Sequence, residues 1–405
     1  MAKLLAPFNS KAALWVKGRK GLILLIQKQM QSNTHPVIWM HAASLGEFEQ
    51  GLPVVELLKK QYPHYRLLVT FFSPSGYEIR KNHPLADWVF YLPMDSPSNA
   101  VKFIETAKPS IALFIKYEFW YFYLSELKKQ QIPTLLISGI FRSNQLFFKW
   151  YGGFYRKMLA FFSHFFIQDT GSHSLIKDLV KPNLITISGD TRFDRVLTIA
   201  AARKQFGVVE QFCGNHNIIV AGSTWSDDDK VLQHFTKVHR NVKFIVAPHQ
   251  ISAERLSECL QRYPSSILLS TYETQDPSIR DNFQTLVIDN VGMLSSLYYY
   301  STIAFIGGGF SNEGIHNTLE AAVFGKPVVF GPVYDKYLEA IEMLEIGAAF
   351  SAETALEMED LLNDLLNDAN KAQAAGDAGR AYIQSKAGAS ASILDYIQAN
   401  RLLTN

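Results

Sequence analysis

Thr302-Ile303-Ala304-Phe305-Ile306-Gly307-Gly308-Gly309-Phe310-Ser311-Asn312-Glu313-Gly314-Ile315-His316-Asn317-Thr318-Leu319-Glu320 is the stretch that decides how this chain is read. Residues 302–306 have the apolar, β-branched character of a buried strand, and Ala321, Ala322 and Val323 continue as a helical pattern. Three glycines between strand and helix let a backbone approach a ligand closely, and the helix N-terminus that follows favours an anion. On that helix Asn317 and Glu320 form an i,i+3 pair beside His316. The arrangement suits a nucleotide, with a phosphate on the amides of Gly308 and Gly309 and ribose hydroxyls on Glu320. A glycine-rich turn before a capped helix is the plainer reading of the same residues.

Outward from this stretch the same scheme repeats. Apolar runs expected as strands fall at Val37–Ala42, Leu67–Phe72, Val89–Leu92, Ile111–Ile115, Thr134–Ile137, Phe165–Gln168 and Leu184–Ile187. A second series falls at Ile218–Ala221, Phe244–Ala247, Leu286–Ile288, Ile303–Ile306 and Val328–Phe330. Helical patterns such as Glu47–Gln61, Tyr121–Gln130 and Phe147–Phe162 lie between them, which is the signature of α/β doubly wound structure. A chain of 405 residues exceeds one ordinary core. The expected division is a basic N-terminal segment (1–35), a first Rossmann-like domain (36–193), a linker (194–215) with a polar helix at Ala200–Gln205, a second Rossmann-like domain (216–375) and C-terminal helices (376–405). Two such domains facing across a cleft bind ligands at the carboxyl ends of their strands.

Net charge is +2, which gives no reason to expect nucleic acid as the main partner. The two cysteines, Cys213 and Cys259, fit no metal or redox spacing. Charge is uneven at the start: Lys3, Lys11, Lys17, Arg19, Lys20 and Lys28 precede Pro36 with no acidic residue, among Leu4, Leu5, Phe8, Leu14, Trp15 and Leu22–Ile26. No run reaches the roughly 18–20 apolar residues of a membrane span. The segment reads equally as an amphipathic element lying on an anionic membrane surface or as a helix packed on its own domain.

His41-Ala42-Ala43-Ser44-Leu45-Gly46-Glu47 leaves the first strand and opens the first long helix. Glu47 then sits in a first turn, where the helix dipole favours its charge while partial desolvation raises its pKa, an environment fit for a general base. A first-turn acid placed for the dipole alone has the same sequence. Gly222-Ser223-Thr224 leaves the first strand of the second domain, and the amides and hydroxyls of Ser223 and Thr224 are candidates to hold a phosphate. Asp227-Asp228-Asp229 is not read as a metal cluster, because Ser226 makes a good N-cap and consecutive helical residues point apart. His249 ends another strand at the same edge. Glu118 follows the strand Ile111–Ile115, there to meet a polar acceptor or a lysine, and Arg192 lies at the domain junction, there for an anionic donor or a salt bridge. Arg142 begins an aromatic-basic stretch, Phe147-Phe148-Lys149-Trp150-Tyr151 and Phe154-Tyr155-Arg156-Lys157, too aromatic for one buried stripe and suited to a phosphorylated lipid.

In order along nearly the whole chain, His41–Glu47, Glu118-Phe119-Trp120, Gly189–Asp194, Gly222-Ser223-Thr224, Pro248-His249 and Gly307–Glu320 resemble the 3-deoxy-D-manno-octulosonic acid (Kdo) transferase family of lipopolysaccharide assembly. The resemblance implies a GT-B glycosyltransferase, CMP-Kdo as donor and a lipid A precursor as acceptor, acting at the cytoplasmic face of the bacterial inner membrane. It implies Glu47 as the base of an inverting transfer and Glu118 as a second acid in the acceptor region. Ser223, Thr224, His249, Asn317 and Glu320 fall where the family holds CMP. A donor with a single phosphate needs no metal in this reading, and no other cofactor is expected.

The chain departs from the family at several places. Gln250 stands where Arg usually follows Pro-His, Arg192 stands where Lys is usual, and Ser138-Gly139-Ile140-Phe141 differs from the common Asn-Ala-Arg pattern. Members usually begin with a hydrophobic anchor, of which little remains here: either the start is trimmed or the basic N-terminus does the anchoring. Another GT-B glycosyltransferase, a sugar-nucleotide epimerase and a nucleotide-binding regulatory protein are the alternatives.

Overall fold

A computed structural model describes residues 9–404. Lys3, Leu4, Leu5 and Phe8 of the basic N-terminal segment lie outside the described residues. The chain forms two compact units, Met1–Arg195 with Lys386–Asn405, and Val196–Ser385. Each is built on a seven-stranded parallel sheet with helices on its faces, the α/β, GT-B-type architecture expected from the alternating pattern.

In the first unit the strands are β1 (Val37–Ala42), β2 (Arg66–Phe71), β3 (Trp88–Tyr91), β4 (Pro109–Ile115), β5 (Thr134–Gly139), β6 (His164–Ile167) and β7 (Ile185–Ile187), in the order β3-β2-β1-β4-β5-β6-β7. All six residues of β1 are buried, as a central strand covered on both faces requires. One face is covered by Leu22, Ile26, Phe103, Leu124 and Leu159 from four helices, the other by Phe48, Leu52 and Val55 together with Ile393 and Ile397. The order reverses direction between β1 and β4, so the loops that leave those two strands share the topological switch point.

In the second unit β8 (Asn217–Thr224), β9 (Val242–Pro248), β10 (Ser266–Leu268), β11 (Thr285–Val287), β12 (Ile303–Ile306), β13 (Val328–Phe330) and β14 (Ala349–Ser351) are ordered β10-β11-β9-β8-β12-β13-β14. Here the switch point lies between β8 and β12, the strands that carry Ser223 and the glycine run. β10 and β14, three residues each, are the sheet's two edges; each carries a serine among its three residues and does not stand out as an apolar run in the sequence.

Several helices differ from expectation. Residues 194–215 carry the end of a helix at Thr191–Ala201 and a second helix at Gly207–Cys213, in place of a linker with a helix at Ala200–Gln205. The expected helix Phe147–Phe162 is broken into a 3-10 turn, Leu146–Phe148, and a helix Gly153–Leu159, because the Gly152 amide turns back to Lys149 O. The last helix, Ala389–Ala399, belongs to the first unit, where Asp194 accepts from the amides of Gly388 (2.6 Å) and Ser390 (2.7 Å) at its start. Near the N-terminus, helix Leu22–Met30 packs on its own unit through Leu22, Ile26 and Met30, while helix Ser10–Lys17 buries no residue and meets the unit through Trp15, whose ring lies 5.8 Å from that of Phe72. Arg19 is drawn inward: its guanidinium donates to Phe72 O (2.8 Å) and Leu92 O (3.1 Å) and lies over the Trp15 ring, and burial lowers its pKa to about 10.

Glycine at position 376 is a packing requirement. An alanine there would gain about 1 kcal/mol in helix propensity within Ala369–Lys386. Its Cβ would lie 2.1 Å from the Gly325 carbonyl oxygen, and overlap with backbone costs about 1–3 kcal/mol or more. The steric term wins, so Gly376→Ala should lower Tm by several degrees, at about 2–4 °C per kcal/mol for a unit of this size. A Tm equal to or above wild type in calorimetry would contradict the contact.

Candidate functional site

At the carboxyl end of β1, Ser44 caps the helix Leu45–Gln61, accepting from the Glu47 amide at 3.5 Å. The Glu47 carboxylate folds back to accept from the Ala43 amide at 2.5 Å, a reciprocal capping arrangement that fixes its rotamer. Half-buried, Glu47 has its pKa raised to about 7, first by desolvation and then by the nearby charge of Glu118; the Ala43 amide and Lys116 pull the other way without reversing it. A carboxylate with that pKa is half ionised near neutral pH, as a general base requires.

Glu118 leaves the neighbouring strand β4 and is buried. Its partners within the protein are ring N–H groups and not a lysine, one of the two alternatives for this residue: Trp120 Nε1 donates at 2.6 Å and His41 Nε2 at 3.0 Å. Trp39 Nε1 donates to Thr70 Oγ1 (2.9 Å), His41 Nδ1 lies in hydrogen-bond reach of both Thr70 Oγ1 (2.9 Å) and Thr70 O (3.1 Å), and because a carboxylate only accepts, His41 Nε2–H donates to Glu118. His41 belongs to the first motif but has no role in the sequence reading; its task is to hold the second carboxylate.

Tyr117 is the residue that sequence reasoning missed. Burial raises the pKa of its phenol, with the charges of Arg142, Glu47, Arg192 and Asp190 all in reach, so the loops after β1, β4 and β5 and the start of helix Thr191–Ala201 converge on one ring. Within this group Arg192 Nε donates to Asp190 Oδ2 at 2.7 Å, and Arg142 is exposed. Lys116 supplies a further sign, since its φ of 66° is a left-handed conformation that side chains other than glycine seldom adopt. Such strain concentrates at functional loops.

In the second unit, the turn after β8 and the run after β12 lie side by side, with the Gly307 amide donating to Gly222 O at 2.8 Å. Ser223 has φ 56°, is half-buried and heads this turn. His249 leaves β9 beside it, its amide donating to Thr224 O at 3.0 Å. Its ring stacks on Trp225 (4.7 Å) and on His316 (4.4 Å), while Trp225 Nε1 donates to His316 Nε2 at 3.2 Å. Burial, with a smaller push from His249, lowers the His316 pKa to about 4; it is therefore neutral at physiological pH and accepts from Trp225. Asn317 Nδ2 donates to Glu320 Oε1 at 3.0 Å, and Glu320 is felt by Tyr298, whose hydroxyl fills the place of a Gly222 side chain.

Several details of this unit differ from the sequence reading. The helix after the glycines is only Leu319–Ala322, so His316 and Asn317 stand on the preceding loop and no long helix end is available for an anion. Of the two amides expected to cradle a phosphate, Gly308 N already donates to Asp228 (2.7 Å), which also accepts from Phe310 N (3.3 Å); Gly309 faces the Gly331 backbone, which a Cβ would overlap at 2.5 Å. The Thr224 hydroxyl is buried and accepts from Arg255 at 3.3 Å. The N-cap of helix Ser226–Val238 is Trp225 rather than Ser226. Asp229 is turned to Arg255 and to the Tyr263 hydroxyl (2.8 Å).

Comparison with known proteins gives this geometry its context. Residues 18–195 match the family described as 3-Deoxy-D-manno-octulosonic-acid transferase (kdotransferase). The chain is 26% identical to the 3-deoxy-D-manno-octulosonic acid transferase of Aquifex aeolicus over 361 residues, 84% of this chain and 89% of the relative. Against the enzyme of that name from Haemophilus influenzae it is 27% identical over 378 residues, 89% of this chain and 86% of the relative. Among solved structures, UDP-GlcNAc 2-epimerase from Neisseria meningitidis shares the fold with a TM-score of 0.63 at 15% identity, covering 90% of this chain and 100% of that one. The motif order, the site at the first switch point and these matches agree: the chain is similar to the 3-deoxy-D-manno-octulosonic acid transferases over most of its length, and residues 18–195 match that family.

Proposed function

We propose that this protein transfers Kdo from CMP-Kdo to the lipid A precursor lipid IVA, with inversion, in lipopolysaccharide assembly. The observation that carries the reading is Glu47, fixed by its capping contacts and brought to a pKa of about 7 beside the buried Glu118. In this reaction an acceptor hydroxyl gives its proton to Glu47 as its oxygen bonds to the anomeric carbon of Kdo. The bond from that carbon to the CMP phosphate breaks, CMP departs with the electron pair, and attack from the opposite face inverts the centre. Glu118 and Arg142 orient the acceptor. Arg192, Ser223, His249, Asn317 and Glu320 serve the donor, with Glu320 toward the ribose hydroxyls. Thr224 contributes through its backbone, since its hydroxyl is held by Arg255.

We further propose that the protein works peripherally at the cytoplasmic face of the inner membrane. Trp150 is 90% exposed, Tyr151 57% and Phe154 53%, next to Lys149 and Lys157. Apolar rings rimmed by ammonium groups suit an anionic bilayer surface. Other rings of the same stretch, Phe141, Phe147 and Phe162, are core. Among the described residues no helix is long and apolar enough to cross a membrane.

The deciding assay incubates the protein with freshly generated CMP-Kdo and a tetra-acylated lipid A precursor and counts Kdo additions by mass spectrometry; no product where a known transferase works would refute the activity. Glu47→Gln should keep CMP binding and lose about 10²–10⁴-fold in transfer. The same variant has a stability signature. A carboxyl whose pKa rises from 4.5 to about 7 on folding favours the folded state only while protonated, so its contribution is lost as pH climbs through that window. Glu47→Gln should therefore exceed wild type by about 1–3 kcal/mol at pH 8 and show little of that gain at pH 4. Full activity, or a pH-independent stability gap, would remove Glu47 from the role of base.

Donor activation in this proposal rests on side chains and backbone, so saturating EDTA should leave turnover unchanged; a loss restored by magnesium would show that a metal takes part. Trp150→Ser with Phe154→Ser should weaken sedimentation with anionic vesicles at least tenfold, and equal binding would place the membrane contact elsewhere.

A further inference from the structure

We propose that Asp228 is a positioning residue of the donor site: its carboxylate fills the amide nest that the glycine loop would otherwise offer to a phosphate, and thereby sets the turn that presents Ser223 and the ring stack that carries His249. The inference rests on the donor reading above for its ligand, but its geometry stands on its own. Asp228 is fully buried, with Oδ2 accepting from Trp225 N (2.8 Å) and Gly308 N (2.7 Å) and Oδ1 from Phe310 N (3.3 Å). Three convergent N–H groups, two of them some 80 residues downstream of the carboxylate, form the kind of nest that binds anions. Here the anion is the protein's own.

Two consequences follow. The neighbouring loop amides are also spoken for: Gly307 N donates to Gly222 O, and Ser311 N to Gly308 O at 3.1 Å. The amides of Gly307, Gly308, Phe310 and Ser311 are thus engaged within the protein, which leaves Ser223 and the ring edges to meet a donor phosphate. Trp225, meanwhile, is held at its amide by Asp228 and at its indole N–H by His316, so the carboxylate, the glycine loop and the ring pair under His249 are one rigid assembly. On the far side, buried Asp229 holds Arg255, which grips Thr224 O and Oγ1, both at 3.3 Å. Ser223 is thus fixed from both flanks in its left-handed conformation.

The test compares wild type, Asp228→Asn and Asp228→Ala as full-length protein, measuring CMP affinity by calorimetry, KM and kcat for CMP-Kdo, and amide exchange of peptides spanning 307–317. Asp228→Ala should weaken CMP binding and raise the donor KM about tenfold or more, with a smaller change in kcat. Formate, a carboxylate small enough for the vacated nest, should restore at least part of the lost affinity in Asp228→Ala and do nothing to wild type. Asp228→Asn, which keeps one acceptor oxygen, should fall between them and show faster exchange at 307–311. A folded Asp228→Ala with wild-type CMP affinity, or no formate rescue, overturns the proposal. Should Asp228→Ala not fold, unchanged exchange at 307–311 in Asp228→Asn overturns it equally. If wild type itself binds no CMP, the donor reading fails, while the exchange measurement still decides whether Asp228 clamps the loop.

Discussion

Two carboxylates in one poorly solvated corner constrain everything around them. Glu47 and Glu118 leave adjacent strands at the switch point of the first sheet, and the charge of Glu118 makes it harder for Glu47 to ionise. The protein resolves the conflict asymmetrically. Glu118 receives two ring N–H donors, with the Trp39–Thr70–His41 chain fixing one of them, whereas Glu47 receives little more than a single backbone amide. Glu118 is the carboxylate better supplied with donors; Glu47 is left at a pKa of about 7, where accepting a proton near neutral pH costs little.

The second unit solves a related problem by different means. Its switch point looks like a phosphate-binding glycine turn, yet a buried carboxylate occupies the donors. Glycine is needed there mainly because backbones touch: Gly307 against Ser223 and Thr224, Gly309 against Gly331. Buried acids Asp228 and Asp229, adjacent in sequence, face opposite ways and lock the turn between them.

How much of this is legible in the sequence depends on the range of the interaction involved. All strands except β10 and β14 coincide with apolar runs, because a strand buried on both faces has to be apolar along its length. The capping contacts of Glu47 are local, made with Ser44 and Ala43 three and four residues before it, and can be anticipated from the motif alone. The partners of Glu118 include His41, 77 positions distant, and those of Asp228 lie 80 and 82 positions away. No spacing rule reaches that far, so Asp228 reads as a dipole-favoured first-turn acid and Thr224 as a free hydroxyl. The aromatic stretch 147–162 misleads for another reason. Its composition is helical, but the Gly152-Gly153 pair breaks the period, and rings that would have shared one stripe are divided between core and surface.

The return of the last helix to the first unit matters for how the chain is made. Ile393, Ile397 and Leu403 are buried in the first unit's core, against residues such as Leu52 and Val55 that emerge from the ribosome hundreds of positions earlier. The second unit, Val196–Ser385, is contiguous and has all its residues before synthesis ends. The half of the protein translated first is thus the half that finishes last, with one face of its sheet waiting for the final residues. A message cut short before Ala389 would yield a complete second unit and a first unit with an open core, a product whose defect is exposed apolar surface.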